Sequence, residues 1–153
     1  MSASPVEKFV LDEQLCFALH TASRAITGCY RPLLDRIGLT YSQYLVMLVL
    51  WEVESINLGA LGARLQLDSG TLSPLLKRLE SHGLIIRERR QEDERTVQLT
   101  LTDAGRTIRD DAAEAQVAVA ADTGLDLTER AALRDQLMTL ALRLRAAGHP
   151  VLD

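Results

Sequence analysis

Cys16 and Cys29 are the two thiols of this chain, and a thiol does nucleophilic or redox chemistry only as its thiolate. Cys16 lies early in a helical pattern over residues 12–35, within Leu15-Cys16-Phe17-Ala18-Leu19-His20. A cysteine in such an apolar run is most often a small, inert hydrophobe, so position alone does not make it reactive. Helical geometry adds a constraint. Tyr30 follows Cys16 by 14 residues, about 320° round the axis and so on nearly the same face, yet about 21 Å along it. The two side chains cannot touch within one straight helix. They can meet where the first helices of two subunits cross antiparallel about a two-fold axis. Cys29, the alternative sensor or resolving partner, stands about 220° round from Cys16, which excludes an easy intrachain disulfide, and it is read first as a packing or incidental residue. His20, one turn from Cys16, is read as structural.

A second group of residues offers recognition instead of bond-making. Leu72, Leu75, Leu76 and Leu79 follow the spacing of one buried helical face, leaving Ser69, Thr71, Ser73, Lys77 and Arg78 on the other surfaces. Hydroxyls near a helix N-terminus approach base edges and phosphates closely, and cations farther along neutralise a phosphate backbone. This suits a helix entering the major groove of double-stranded DNA end-on. Leu58, Leu61 and Leu65 mark a shorter helix before it, and the connector Gln66-Leu67-Asp68 has helix-turn-helix length. Gly83 closes the second helix. Pro74 sits about a turn inside if Ser69 is the cap, so either the first turn is distorted or the helix starts later. Leu84 to Arg89, then Val97, Leu99 and Leu101 in alternation, predict a hairpin with its tip at Arg90 to Arg95. Charged turns are often simply solvated. Following a helix-turn-helix, this one is read as a wing whose Arg95 enters the minor groove, with Asp93 fixing its guanidinium.

The elements that must position these residues are helices. Thr40-Tyr41-Ser42-Gln43 has the capping-box arrangement and opens an apolar helix through Trp51. Thr102-Asp103 begins an alanine-rich helix reaching about Asp122. Thr128 is read as the cap of a last helix, where Leu133, Leu137, Leu140 and Leu144 repeat at the 4, 3, 4 spacing of a helix-packing seam. Such a seam completes a monomer core or joins two copies, and a two-fold DNA site favours a homodimer. The expected organisation is one domain over 1–153: N-terminal helices over 12–52, a winged helix-turn-helix over 58–101, and dimerisation helices over 1–35 and 103–147. The fold class is mainly α with a small β-hairpin wing.

Composition limits the alternatives. The net charge of −4 divides into −2 over residues 1–57, +1 over 58–100 and −3 over 101–153. Only the middle segment is positive, and an acidic body steers it toward DNA by repelling DNA elsewhere. No stretch suits a membrane span, and residues 1–8 lack the features of a signal peptide, so a cytoplasmic protein with reduced thiols is expected. His20, His82 and His149 lie far apart, no metal-ligand spacing is present, and no metal or cofactor is expected.

Taken together, Leu15-Cys16-Phe17-Ala18-Leu19, Tyr30-Arg31-Pro32-Leu33-Leu34, Leu39-Thr40-Tyr41, the run Gln43 to Glu52, and Asp93-Glu94-Arg95 resemble OhrR. That is the organic hydroperoxide-sensing branch of the MarR repressors. The resemblance spans about Asp12 to Arg106. It implies a winged-helix homodimer on an inverted-repeat operator, repressing a peroxide-detoxification gene until oxidised. It also implies that Cys16 is the sensing thiol, hydrogen-bonded by Tyr30 and Tyr41 of the other subunit. With no cysteine after residue 29, the chain is similar to the one-cysteine type, in which a small thiol or overoxidation completes the reaction. Ser42 replaces a proline usual in the family, and His20 an aromatic. Two rivals are a MarR-type repressor released by a small aromatic or phenolic ligand, and a thiol peroxidase. The second lacks a resolving cysteine and leaves a complete winged helix unexplained.

Overall fold

The computed structural model describes residues 9–148, and at 93–95 the backbone alone. His149 and the segment 1–8 therefore lie outside the described residues. The chain forms two compact units, Met1–Gln116 and Val117–Asp153.

In the first unit a 3-10 turn at Leu11–Glu13 precedes α1 (Leu15–Asp35), α2 (Tyr41–Val53), β1 (Ser55–Asn57), α3 (Leu58–Leu65) and α4 (Ser69–Ser81). Next come β2 (Ile85–Arg90), β3 (Asp93–Leu101), α5 (Asp103–Thr107) and the start of α6 (Arg109–Asp122). The helices start where side-chain caps satisfy free backbone N–H groups. Thr40 and Gln43 form the full capping box at α2, Asn57 caps α3, Asp68 caps α4 and Thr102 caps α5. Pro74 does not delay α4, which begins at Ser69 with Pro74 inside it. Its missing N–H and ring fall against the carbonyl one turn back, at Gly70. On a helical projection Gly70 and Pro74 both face away from the buried Leu72, Leu76 and Leu79. At the far end, Leu84 N donates to Leu79 O (3.0 Å) and Gly83 N to Glu80 O (2.9 Å). With Gly83 at φ 73°, this is a Schellman stop.

The wing belongs to a three-stranded antiparallel sheet, ordered β1-β3-β2. The hairpin is tighter than expected, because β3 already starts at Asp93 and Arg90 pairs with Asp93, leaving Gln91-Glu92 as the turn. The third strand, β1, pairs Ile56 with Leu99. The core under the helix-turn-helix joins Leu34, Leu39, Val46, Met47 and Leu50 to Leu61, Leu72, Leu76, Leu79, Ile85 and Leu99, all buried.

Three helix boundaries differ from expectation. α1 starts at Leu15 and not at residue 12, because Gln14 is extended (φ −87°, ψ 125°) and Leu11–Glu13 form a separate 3-10 turn. The helix after Thr102 breaks at Ile108 and resumes as α6. α7 (Leu127–Ala146) is capped by Asp126, not Thr128, because Asp126 and Glu129 form a complete capping box. The second unit is essentially α7 and the end of α6. None of α7's residues is buried within the chain, and Leu133, Leu137 and Leu144 are 45%, 41% and 57% exposed.

Gly105 is the tightest point of the first unit. A Cβ there would run into the Leu84 carbonyl oxygen and lie 2.8 Å from Leu101 Cδ1. Backbone cannot yield as a flexible side chain does, so Gly105→Ala should lower the unfolding free energy by about 1–3 kcal/mol in chemical denaturation. Wild-type stability in that variant would show that α5 can back away from β2.

Candidate functional site

The chain's three tyrosines form one cluster. Tyr30, buried on α1, meets Tyr41 and Tyr44, which stand about one turn apart at the start of α2. Ring centroids are 5.5 Å apart for Tyr30 and Tyr41, 5.1 Å for Tyr30 and Tyr44, and 6.0 Å for Tyr41 and Tyr44. The local cause is the Thr40 cap, where Gln43 N donates to Thr40 Oγ1 (3.2 Å) and Thr40 N to Gln43 Oε1 (2.9 Å). That box fixes where α2 begins and therefore which way Tyr41 and Tyr44 point. Burial raises the pKa of both phenols above the ordinary value. A hydrogen bond with Tyr30 adds to the effect at Tyr44, and the Tyr30 charge adds to it at both. At neutral pH Tyr41 and Tyr44 are therefore protonated O–H donors.

Cys16 sits in the first turn of α1 and is exposed, as is Cys29. Because α1 runs unbroken from Leu15 to Asp35, Cys16 and Tyr30 of one chain are held about 21 Å apart along the axis. The structure thus brings Tyr30 and Tyr41 together and keeps both away from their own chain's Cys16. It also adds Tyr44, which sequence reading treated only as one position of an apolar run. Its spacing of three from Tyr41 was the available signal.

On α4, Ser69, Ser73 and Lys77 are exposed and Thr71 is half-buried. Ser69, Ser73 and Lys77 fall within an arc of about 80°, while Thr71 and Arg78 lie on the opposite flank. Arg78 lines an open hollow of about 430 Å³ with Asp35, Thr40, Gln43 and His82, between the α1–α2 turn and the end of α4. The side chains of Asp93 and Arg95 lie outside the described residues, so their expected wing roles have no counterpart there.

The C-terminal end of α2 is tied to the winged helix. Trp51 Nε1 donates to Gly105 O (2.8 Å), Leu101 N donates to Glu54 O (3.0 Å), and the Arg106 guanidinium meets Glu54 Oε2 at 2.8 Å. A second hollow of about 300 Å³ is lined by Tyr44, Leu48, Trp51, Glu52, Arg109 and Gln116.

Residues 29–112 match the family model for the SarA/Rot transcriptional regulators. The organic hydroperoxide resistance transcriptional regulator of Bacillus subtilis is 49% identical over 68% of this chain and 71% of its own length. The regulator TtmR of Methylorubrum extorquens is 48% identical over 89% of this chain and 70% of its own. Among solved structures, reduced AbfR bound to DNA superposes with a TM-score of 0.78 at 38% identity, covering 91% of this chain and 95% of that one. These relatives are transcriptional regulators, not enzymes. Among the described residues, no helix is long and apolar enough to cross a membrane.

The cluster makes a spectroscopic prediction. In an ultraviolet phenolate titration of the native protein, Tyr41 and Tyr44 should ionise above pH 10, the ordinary tyrosine value, and should return to it in denaturant. The folded state keeps these protons where an unfolded chain loses them. Their contribution to stability is therefore full below pH 10 and falls as the pH rises beyond it. Ordinary titration of Tyr41 and Tyr44 in the native protein would contradict the packing.

Proposed function

The chain belongs to the MarR-type winged-helix transcriptional regulators of the SarA/Rot family model, in the OhrR-like branch, and from that premise we propose that it is an operator-binding repressor released by organic hydroperoxides. The observation that carries the reading is the tyrosine cluster, with Tyr30 near the end of α1 and Tyr41 on α2, set apart from an exposed Cys16 at the start of α1. A second copy crossing antiparallel supplies what one chain lacks, the O–H groups of Tyr30 and Tyr41 directed at the partner's thiol. The uncovered leucines of α7 favour such a homodimer.

Phenol donors stabilise the Cys16 thiolate. Its sulfur attacks the terminal peroxide oxygen, the S–O bond forms, the O–O bond breaks, and the alkoxide takes a proton to leave as an alcohol. Sulfur loses two electrons and the peroxide gains them, leaving a sulfenic acid that a small thiol caps or further peroxide overoxidises. Phe17 and Leu19, half-buried beside Cys16, favour an organic peroxide over hydrogen peroxide. Oxidised sulfur cannot keep the same bonds to the tyrosines. Their loss across the dimer turns the two heads away from the spacing of about 34 Å that successive major grooves require.

In each head, Ser69 and Ser73 with Lys77 form the DNA-facing flank of α4. Thr71 supports the first turn, where its N–H donates to Asp68 (2.7 Å). Arg78 reaches backbone phosphate from the opposite flank, and the wing at the end of the β2–β3 hairpin is assigned to the minor groove.

A second reading has one observation in its favour, the hollow beside Tyr44 and Trp51, which is large enough for a small aromatic acid. On that reading a phenolic ligand would release DNA under full reduction.

A band shift on the chain's own upstream DNA separates these readings. Reduced protein should bind, an organic hydroperoxide should release it, and Cys16→Ser should bind but ignore peroxide. Peroxide release of Cys16→Ser would sink the sensor assignment, and release of that variant by phenolic acids would install the second reading. Lys77→Ala should weaken binding to all sequences alike and reduce the salt slope by about one per subunit, about two for the dimer, checked by titration across ionic strength.

A further inference from the structure

We infer that Trp51 is a positioning residue that carries the state of the tyrosine cluster to the end of the recognition helix. The inference rests on the function proposed above and concerns how that site acts at a distance. Trp51 is the chain's one tryptophan. Its ring meets Tyr44 at 6.4 Å between centroids, and its Nε1 donates to the carbonyl of Gly105, 54 residues away (2.8 Å). One side chain thus touches the cluster and grips the winged helix.

Beyond Gly105 the path stays on backbone. Gly105 is packed so closely on the Leu84 carbonyl that a Cβ has no room. The same carbonyl accepts Thr102 N (3.1 Å), and Thr102 Oγ1 donates to Gly83 O (2.6 Å). Gly83 and Leu84 are the Schellman stop of α4. From the indole, one hydrogen bond and one backbone contact therefore reach the residues that end the recognition helix and begin the wing.

The other ties of α2 to the head have a different character. The Glu54 carbonyl and its ion pair with Arg106 hold the helix end to β3 and α5, but Glu54 makes no ring contact with the cluster, and its pair with Arg106 is exposed and worth little. Glu54 also sits at φ 63°, an unfavourable backbone for a side-chain-bearing residue, so the chain reverses sharply just after the Trp51 turn. A shift of Tyr44 along α2 must then move the Trp51 bond or break it.

The test uses the full-length homodimer and follows oxidation and release separately. Cys16 sulfenic acid is trapped with a dione probe and counted by mass spectrometry, while operator affinity is measured before and after peroxide. Trp51→Phe keeps a ring against Tyr44 and removes the N–H. Since the chain has one tryptophan, global replacement by benzothienylalanine makes the same deletion with the indole's shape preserved, so a folding defect in Trp51→Phe does not decide the matter.

Both proteins should form sulfenic acid as the wild type does and bind operator when reduced, yet the ratio of reduced to oxidised affinity should shrink about five- to tenfold, the weight of one shielded hydrogen bond. Glu54→Gln should keep the wild-type ratio. Wild-type release by the benzothienylalanine protein, or equal loss in Glu54→Gln, would overturn the role of Trp51. Absence of sulfenic acid in the wild type would instead remove the peroxide-sensing reading itself.

Discussion

The hydrogen bond from the Trp51 indole to the Gly105 carbonyl is the interaction around which the first unit is arranged. It exists because residue 105 has no side chain, so α5 approaches the Leu84 backbone and places its carbonyl within reach of α2. α2 is thereby fixed at both ends. The Thr40 and Gln43 box sets its start beside the tyrosine cluster, and Trp51 and Glu54 set its end on the sheet and α5. α2 therefore touches the phenols at one end and the sheet and α5 at the other.

The other organising fact is how little apolar surface one copy covers. α1 has 21 residues but buries only Tyr30 and Leu34, and α7 has 20 and buries none. At roughly 25 cal/mol per Å², leucines left half exposed along α7 forgo stabilisation that a second copy would supply. The same logic answers the puzzle of Cys16. A thiol at the start of a helix and a phenol near its end are useless to each other within one chain, and useful only if the helix crosses its own copy antiparallel. Packing and chemistry call for the same second subunit.

Much of this was legible in the residues, and the failures have local causes. Side-chain caps are short-range, so the Thr40 box and the Gly83 stop were readable at sight. Two cap signals competed at the start of α7, and Asp126 prevailed over Thr128 because Glu129 returns a bond to it. Strand β1 was missed because three residues show no alternation, and its pairing with β3 is set 43 residues away. The break at Ile108 carries neither glycine nor proline to announce it. Tyr44 read as one more apolar position of α2, since its value lies in Tyr30, on another helix. The Trp51 bond, spanning 54 residues, leaves no periodic trace at all.

The charge distribution explains why a modest movement would suffice to release DNA on the proposed reading. Only residues 58–100 carry a net positive charge, and that is just +1. On that reading each head has little net positive charge to attract DNA at a distance, so a single head is expected to hold DNA weakly. Outermost on α4 are Gly70 and Pro74, which present almost no side chain, with Ser73 and Lys77 to one side and Arg78 to the other. That surface lets the helix lie close in a groove, but gives it little to hold with. Tight binding then requires both heads in register, as a multivalent contact does. When the spacing is lost, affinity falls to that of one weak head, so a sensor acting through a single hydrogen bond on each side can clear the operator.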